Sequence, residues 1–256
     1  MTIAAEPRPT GPAPAPAAAA RRRLEELSAR AAADGDELTA AIASNVPQPL
    51  SAYGRWFLRQ TAPRLMLGGL ALAVVGRLRA GRLRRSDLVI PLSILAAEPF
   101  TEWLIHVHIL HRQPTTVAGR TLDLHAAAKH REHHLDPADP YKVFVPLPDL
   151  LGLVVLASGL GLLLNRTAQK RLTAAVTALA MLCTYEWTHY LIHTPYKPKS
   201  RYYRGIWRSH RLHHYKNEHY WMGVTTNVGD RVLGTFPEKS AVATSPTAWT
   251  LGVEPA

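Results

Sequence analysis

The sequence predicts an all-α integral membrane protein, a bundle of about four transmembrane helices whose cap carries a histidine-lined di-metal site. Three observations predict it. Four apolar stretches occur in one chain of 256 residues, and the third is almost uninterrupted. All 13 histidines lie between residues 106 and 219. Ten of them form four short clusters: His106 and His111; His130, His133 and His134; His189 and His193; His210, His213 and His214.

The elements follow in chain order. The first 20 residues, rich in proline and alanine, bury too little apolar surface to order themselves and are expected to be disordered. Arg21-Arg22-Arg23 opens a helix-forming stretch to about Ala33, solvated or interfacial. It lacks the apolar core and cleavage site of a secretory signal. Residues 1–50 therefore read as an N-terminal extension, 51–240 as the membrane catalytic body and 241–256 as a C-terminal tail. Leu65–Gly76 is short for a span unless Trp56–Pro63 extends it, whereas Leu88–Leu110 is long enough but carries Glu98 and Glu102. Val143–Leu164 is the most continuously apolar, and Leu172–His193 carries Glu186 near its end. The third and fourth spans would form a hairpin turned at Asn165–Arg171, which returns the chain to its starting side. All four histidine clusters then meet on one membrane face.

The charge of +11 does not imply nucleic acid, because the basic residues flank apolar runs and no nucleic-acid module is legible. Anionic lipid or an acidic protein explains it better. The loop between the first two spans holds Arg77, Arg79, Arg82, Arg84 and Arg85, but Lys197–Lys216 on the histidine side is also basic, so the positive-inside rule does not orient the chain. A need for cytoplasmic electrons favours histidines on the cytoplasmic face. The lone Cys183 excludes an internal disulfide, a cysteine zinc site and a cysteine-held iron–sulfur cluster.

Imidazole is the commonest protein metal ligand. An HxxHH run on a helix aligns its three rings along one stripe, so His130, His133 and His134 project together, as do His210, His213 and His214. His189 and His193 share a face. His106 and His111 diverge by about 140° on a regular α-helix, which suits one to each of two ions. His108 lies i, i+3 from His111, so spacing leaves the choice between His106 and His108 open. One structural ion saturates at four ligands, so ten imidazoles suggest two ions with about five each. Glu102 and Glu186 precede His106 and His189 by one turn and are placed to accept a ring N–H; the competing reading pairs them with arginines. His108, His125 and His219 read as supporting hydrogen-bonders. No HExxH motif is present, and His130-Arg131-Glu132 lacks the PCxxC that a deaminase needs.

The run Glu102-Trp103-Leu104-Ile105-His106…His111, then Lys129-His130-Arg131-Glu132-His133-His134, then Tyr185-Glu186-Trp187-Thr188-His189…His193, resembles three boxes of the membrane fatty acid hydroxylase/sterol desaturase superfamily. Residues 209–235, SHRLHHYKNEHYWMGVTTNVGDRVLGT, resemble its fourth box and its Gly-Val-Thr and Asp-Arg-Val-x-Gly-Thr ending, which includes Asp230. The resemblance spans about residues 60–236. It implies a four-helix base with a cytosolic cap and two non-haem iron ions. The ligands it implies are His106, His111, His130, His133, His134, His189, His193, His210, His213 and His214, supported by Asp230 with the residues above. It implies O2-dependent chemistry on an unactivated C–H bond of a lipid, with electrons from an external ferredoxin, cytochrome or reductase. Hydroxylation of a fatty acyl or related chain is the favoured reading, with desaturation on the same site as the alternative. A membrane metal transporter would need ligands along a midplane pathway, and a haem carrier would leave most of these histidines surplus.

Overall fold

The computed structural model describes residues 15–33 and 35–253. The disorder expected of the first residues falls mostly outside that range, but Ala15–Ala20 is helical, so the first helix starts earlier than Arg21. The chain is mostly helical. It runs α1 (Ala15–Ala33), α2 (Glu37–Ala43), α3 (Leu50–Phe57), α4 (Thr61–Arg79), a 3-10 turn (Arg85–Leu88), α5 (Val89–Ile105) and a π-helical turn (His106–Leu110). A small exposed hairpin, β1 (Thr115–Val117) and β2 (Arg120–Leu122), leads into α6 (His125–Leu135), α7 (Leu147–Leu164), α8 (Ala168–Ile192), α9 (Arg201–Tyr215) and α10 (Val228–Leu233).

Among the described residues, three segments are long and apolar enough to cross a membrane: Thr61–Arg79, Arg85–Leu110 and Leu147–Leu164. No more than 17% of any of the three is buried inside the protein, so their leucines and valines face outward. Apolar surface on that scale needs a lipid solvent. The first span is completed from Thr61 onward rather than from Trp56, because Trp56 belongs to α3. Trp56 stacks on Tyr190 of α8 (ring centroids 5.3 Å apart), in an aromatic core with Tyr53, Phe57, Phe144 and Trp187. That core sits beside the histidines and fixes α8 against the N-terminal helices.

At the other end, Arg77 is buried. Its guanidinium donates to Asp87 and to Thr173 at 2.8 Å and to the Gly81 carbonyl at 2.9 Å, which ties the α4–α5 loop to α8. The hairpin between α7 and α8 closes at Asn165–Thr167, where the Thr167 side chain caps α8 and Arg171 donates to the Asn165 carbonyl. Across the histidine end, Arg23 of α1 donates to Asp136 just after α6. Short α10 lies so close to α5 that a Cβ on Gly229 would sit 2.3 Å from the Pro99 carbonyl oxygen. Only glycine permits this approach.

Candidate metal centre

Every one of the ten clustered histidines arrives at one place, from the π turn, α6, the C-terminal end of α8, and α9. Their ring nitrogens form two groups of five. One comprises His106, His111, His130, His134 and His213; the other comprises His133, His189, His193, His210 and His214. Within each group the candidate ligand atoms all lie within 4.8 Å of one another. Nitrogens around one ion at about 2.1 Å are at most about 4.2 Å apart, so each group needs only a small contraction to hold one.

The two HxxHH runs divide in the same way. In α6 the i, i+4 pair His130 and His134 serves the first group and His133 the second; in α9 His210 and His214 serve the second and His213 the first. Each helix therefore lies between the two groups and feeds both. His106 and His111 join a single group, contrary to the expectation of one ion each. That expectation assumed α-helical pitch. The chain instead makes a π turn, closed by His111 N–H donating to the His106 carbonyl at 3.0 Å, and five-residue spacing then returns to the same side.

The ring nitrogens fit metal ligation. Nε2 of His111, His134, His189 and His213, Nδ1 of His210 and His214, and both ring nitrogens of His133 and His193 are buried without a hydrogen-bond partner. Nε2 of His106 faces Nε2 of His130 at 3.1 Å, and the same atoms of His210 and His214 face each other at 3.1 Å. So many orphaned nitrogens would be costly unless ions occupied the space they enclose. Burial, reinforced by mutual repulsion among the rings, holds His111, His130, His133, His210, His213 and His214 well below the ordinary imidazole value. Burial pushes His134 down to about 3. These rings are neutral, the form that binds cations.

Four rings are oriented from behind by main-chain carbonyls. The Nδ1 atoms of His106, His134, His189 and His213 contact the carbonyls of Met222 (2.6 Å), Ala248 (2.9 Å), Val143 (3.1 Å) and Tyr220 (2.9 Å). An Nδ1–H donated to a carbonyl leaves Nε2 free to ligate. Sequence reasoning missed these four carbonyls because nothing in a side-chain pattern marks them. It also assigned Glu102 and Glu186 to the rings directly, which the structure corrects. Glu186 Oε1 accepts the Val145 N–H at 2.9 Å, and Glu102 accepts the N–H groups of Val224 and Thr225. Each carboxylate thus holds a backbone segment whose carbonyl, two residues away from Val145 or Val224, steers a histidine. Asp230 does the same, accepting from Met222 N–H at 2.9 Å and Gly223 N–H at 2.8 Å.

The remaining histidines stand apart from both groups. His108 is exposed with its ring against Trp103, which settles the choice between His106 and His108 on the buried ring. His125 contacts Asp149 at 2.7 Å, and the His219 side chain is 72% exposed beside Glu218. A further unforeseen contribution is Ala248, carried by a C-terminal segment that Glu218 secures through Ser245 and Thr247.

The chain is similar to known proteins. The family profile described as fatty acid hydroxylase matches residues 91–235, which include all ten clustered histidines. Fatty acid 2-hydroxylase of Mus musculus is 28% identical over 143 residues, 55% of this chain and 38% of that protein. Its Homo sapiens counterpart is 28% identical over 145 residues, 56% and 38% of the two chains. Dihydroceramide fatty acyl 2-hydroxylase FAH2 of Arabidopsis thaliana is 27% identical over 143 residues, 56% and 58%. The matched region thus spans about two-fifths of the mammalian relatives. A solved structure described as full-length Scs7p, with only the hydroxylase domain visible, superposes with a TM-score of 0.58 at 20% identity, covering 72% of this chain and 68% of that one. That likeness shows a common fold. With the profile matched over more than half of its length, the chain belongs to the fatty acid hydroxylase family.

Proposed function

We propose that this protein is an O2-dependent lipid hydroxylase with two non-haem iron ions, one in each group of five histidines. The observation that carries the reading is the convergence of ten imidazoles, nine of them buried, into two equal donor sets. Imidazole alone does not distinguish iron from zinc or copper; membership of a hydroxylase family supports iron. Iron at both positions would supply the redox power to reduce O2 and oxidise an unactivated C–H bond.

The residues do the rest. The histidines would hold the ions, and main-chain carbonyls behind four of them keep those rings from rotating. The catalytic body is residues 51–240, which α1 and α2 extend at the N-terminal side, and residues 241–253 reach the site through Ala248. Spans α4, α5 and α7, with α8 as the fourth, would seat the cap of α6 and α9 at the membrane surface. We place that cap on the cytoplasmic face, where reductants are available. Electrons come from an external ferredoxin, cytochrome or reductase, for which exposed Arg201, Arg204 and Arg208 of α9 offer an acidic donor a landing face. The substrate is a fatty acyl or related lipid chain, and the names of the mammalian and plant relatives make carbon 2 the first position to examine.

Lipid mass spectrometry of cells with and without the protein tests this. Wild type yields lipids one oxygen heavier and His213→Ala yields none. Products two hydrogens lighter would transfer the assignment to desaturation, and an unchanged lipidome would reject both.

A further inference from the structure

Among the described residues, two rings other than histidine touch a clustered histidine: Tyr185 against His189, and Tyr215 against His214. Tyr185 is half-buried within α8, whereas Tyr215, the last residue of α9, is exposed. Its ring centre lies 6.4 Å from that of His214 and 5.4 Å from that of half-buried Trp249. This edge of the protein reaches both groups of five. Tyr215 follows His214 of the second group in the chain. Trp249 follows Ala248, whose carbonyl contacts His134 Nδ1 of the first group at 2.9 Å. The His134 and His214 rings stack across the two groups, with centres 4.0 Å apart. An aromatic pair at the surface therefore leads to both donor sets.

A stripe of positive charge ends on the same ring. Arg201, Arg204, Arg208, Arg211 and Tyr215 are spaced by three or four residues and fall on one side of α9. The first three are exposed, and no described ion pair includes any of the four arginines. The Arg211 guanidinium lies 4.8 Å from the Trp207 ring centre and 5.3 Å from that of Tyr215, which joins the charge to the aromatic rings. The other side of α9 carries buried Ile206, His210, His213 and His214. A helix lying on a membrane turns its apolar side to the lipid. Here that side faces the histidine centre, and the outward side presents arginines beside an aromatic tip. Arginine, tyrosine and tryptophan together are the composition of a protein-binding surface.

We infer that an acidic one-electron carrier protein docks on this arginine stripe and delivers electrons to the centre through Tyr215 and Trp249. The inference rests on the hydroxylase reading, whose balance is R–H + O2 + 2 e− + 2 H+ → R–OH + H2O. A C–H bond breaks, a C–O bond forms, and the second oxygen atom leaves as water with protons drawn from solvent. Two reduced carriers are oxidised by one electron each for every product. The arginines steer the encounter and set its rate. The rings bridge the gap between the docked carrier and the histidines without being oxidised themselves, so a phenyl ring at 215 serves as well as a phenol. Because Tyr215 borders the second group and Trp249 leads to the first, one docking position serves both.

The first test uses the full chain in lipid nanodiscs, an acidic [2Fe–2S] ferredoxin as the probe, and no iron in the protein. Binding is expected at low ionic strength and weakens as salt is added. The pair Arg204→Glu and Arg208→Glu slows association by about tenfold or more, whereas Arg82→Glu with Arg85→Glu, on the loop after α4, leaves it unchanged. Association that ignores the α9 pair overturns the docking face and leaves the stripe to anionic headgroups. The second test follows reduction of the ferric protein by reduced ferredoxin in stopped flow. Tyr215→Leu is expected to keep both ions and the ferredoxin affinity while reduction slows by about tenfold. Tyr215→Phe stays at the wild-type rate, and dithionite, a small reductant, reduces all variants alike. Trp249→Leu, one residue further from any ligand, decides the point if Tyr215→Leu loses its ions. Unchanged reduction in both leucine variants overturns the entry route. A wild type reduced through Tyr215 that makes no oxygenated lipid rejects the hydroxylase reading and leaves the entry route standing; oxygenated lipid from protein reduced independently of both rings does the reverse.

Discussion

Each ligand histidine is only as well aimed as the group behind its second nitrogen. For four of the ten clustered histidines those groups are peptide carbonyls, and carboxylates act one step further out. Glu186 holds Val145, whose neighbour Val143 orients His189; Glu102 and Asp230 hold the stretch from Met222 to Thr225, and Met222 orients His106. Glu186→Ala is therefore expected to weaken metal binding by about tenfold to a hundredfold without removing a ligand, as measured by titrating the apo protein with ferrous or zinc ion. Glu186→Gln keeps an acceptor oxygen for Val145 N–H and should lie close to wild type. Equal losses in both variants would mean that charge, and not the hydrogen bond, matters. The presence of Glu102 and Glu186 near the boxes was legible in the sequence. Their real partners were not, because backbone N–H groups from distant segments carry no residue-type signature.

At the scale of elements, the π turn decides which group of five His111 joins. A five-residue separation on an α-helix points the rings apart, while one widened turn realigns them. Deleting Ile109 converts HxxxxH into HxxxH, whose four-residue spacing on a plain α-helix keeps both rings on one side. That variant is expected to bind two ions per chain by metal analysis. One alanine inserted after Ile109 moves His111 off the group, and the stoichiometry should fall toward one. Retention of two ions after the insertion would show that the turn has no part in registering His111. The HxxHH helices need no such device, since their i, i+4 pair and intervening i+3 ring face opposite sides of the gap between the two groups. Sequence spacing identified the stripe but could not divide it, because the division depends on which helices flank it.

At the scale of the whole molecule, α4, α5 and α7 present apolar surface outward while α8 packs against α4 and carries histidines at its end. If α8 completes a fourth crossing, the arginine loop after α4 and the start of α9 lie on opposite faces. On a Cys183→Ser background, cysteines at exposed Arg82 and Lys199 should label from opposite sides of sealed vesicles, with Lys199→Cys reached from the cytoplasmic side. Labelling of both from one side would rule out the three crossings, α5, α7 and α8, between them. The sequence by itself determined the helical, membrane-embedded class, the ten clustered histidines and the count of two donor sets, since these follow from apolar run length, helical periodicity and ligand valence. Only the tertiary structure decided which histidine joins which set, which carbonyls aim them, and that Glu98 and Glu102 meet across Thr225. Those outcomes depend on backbone pitch and on contacts between residues 7 to 127 positions apart, and local residue patterns hold no record of either.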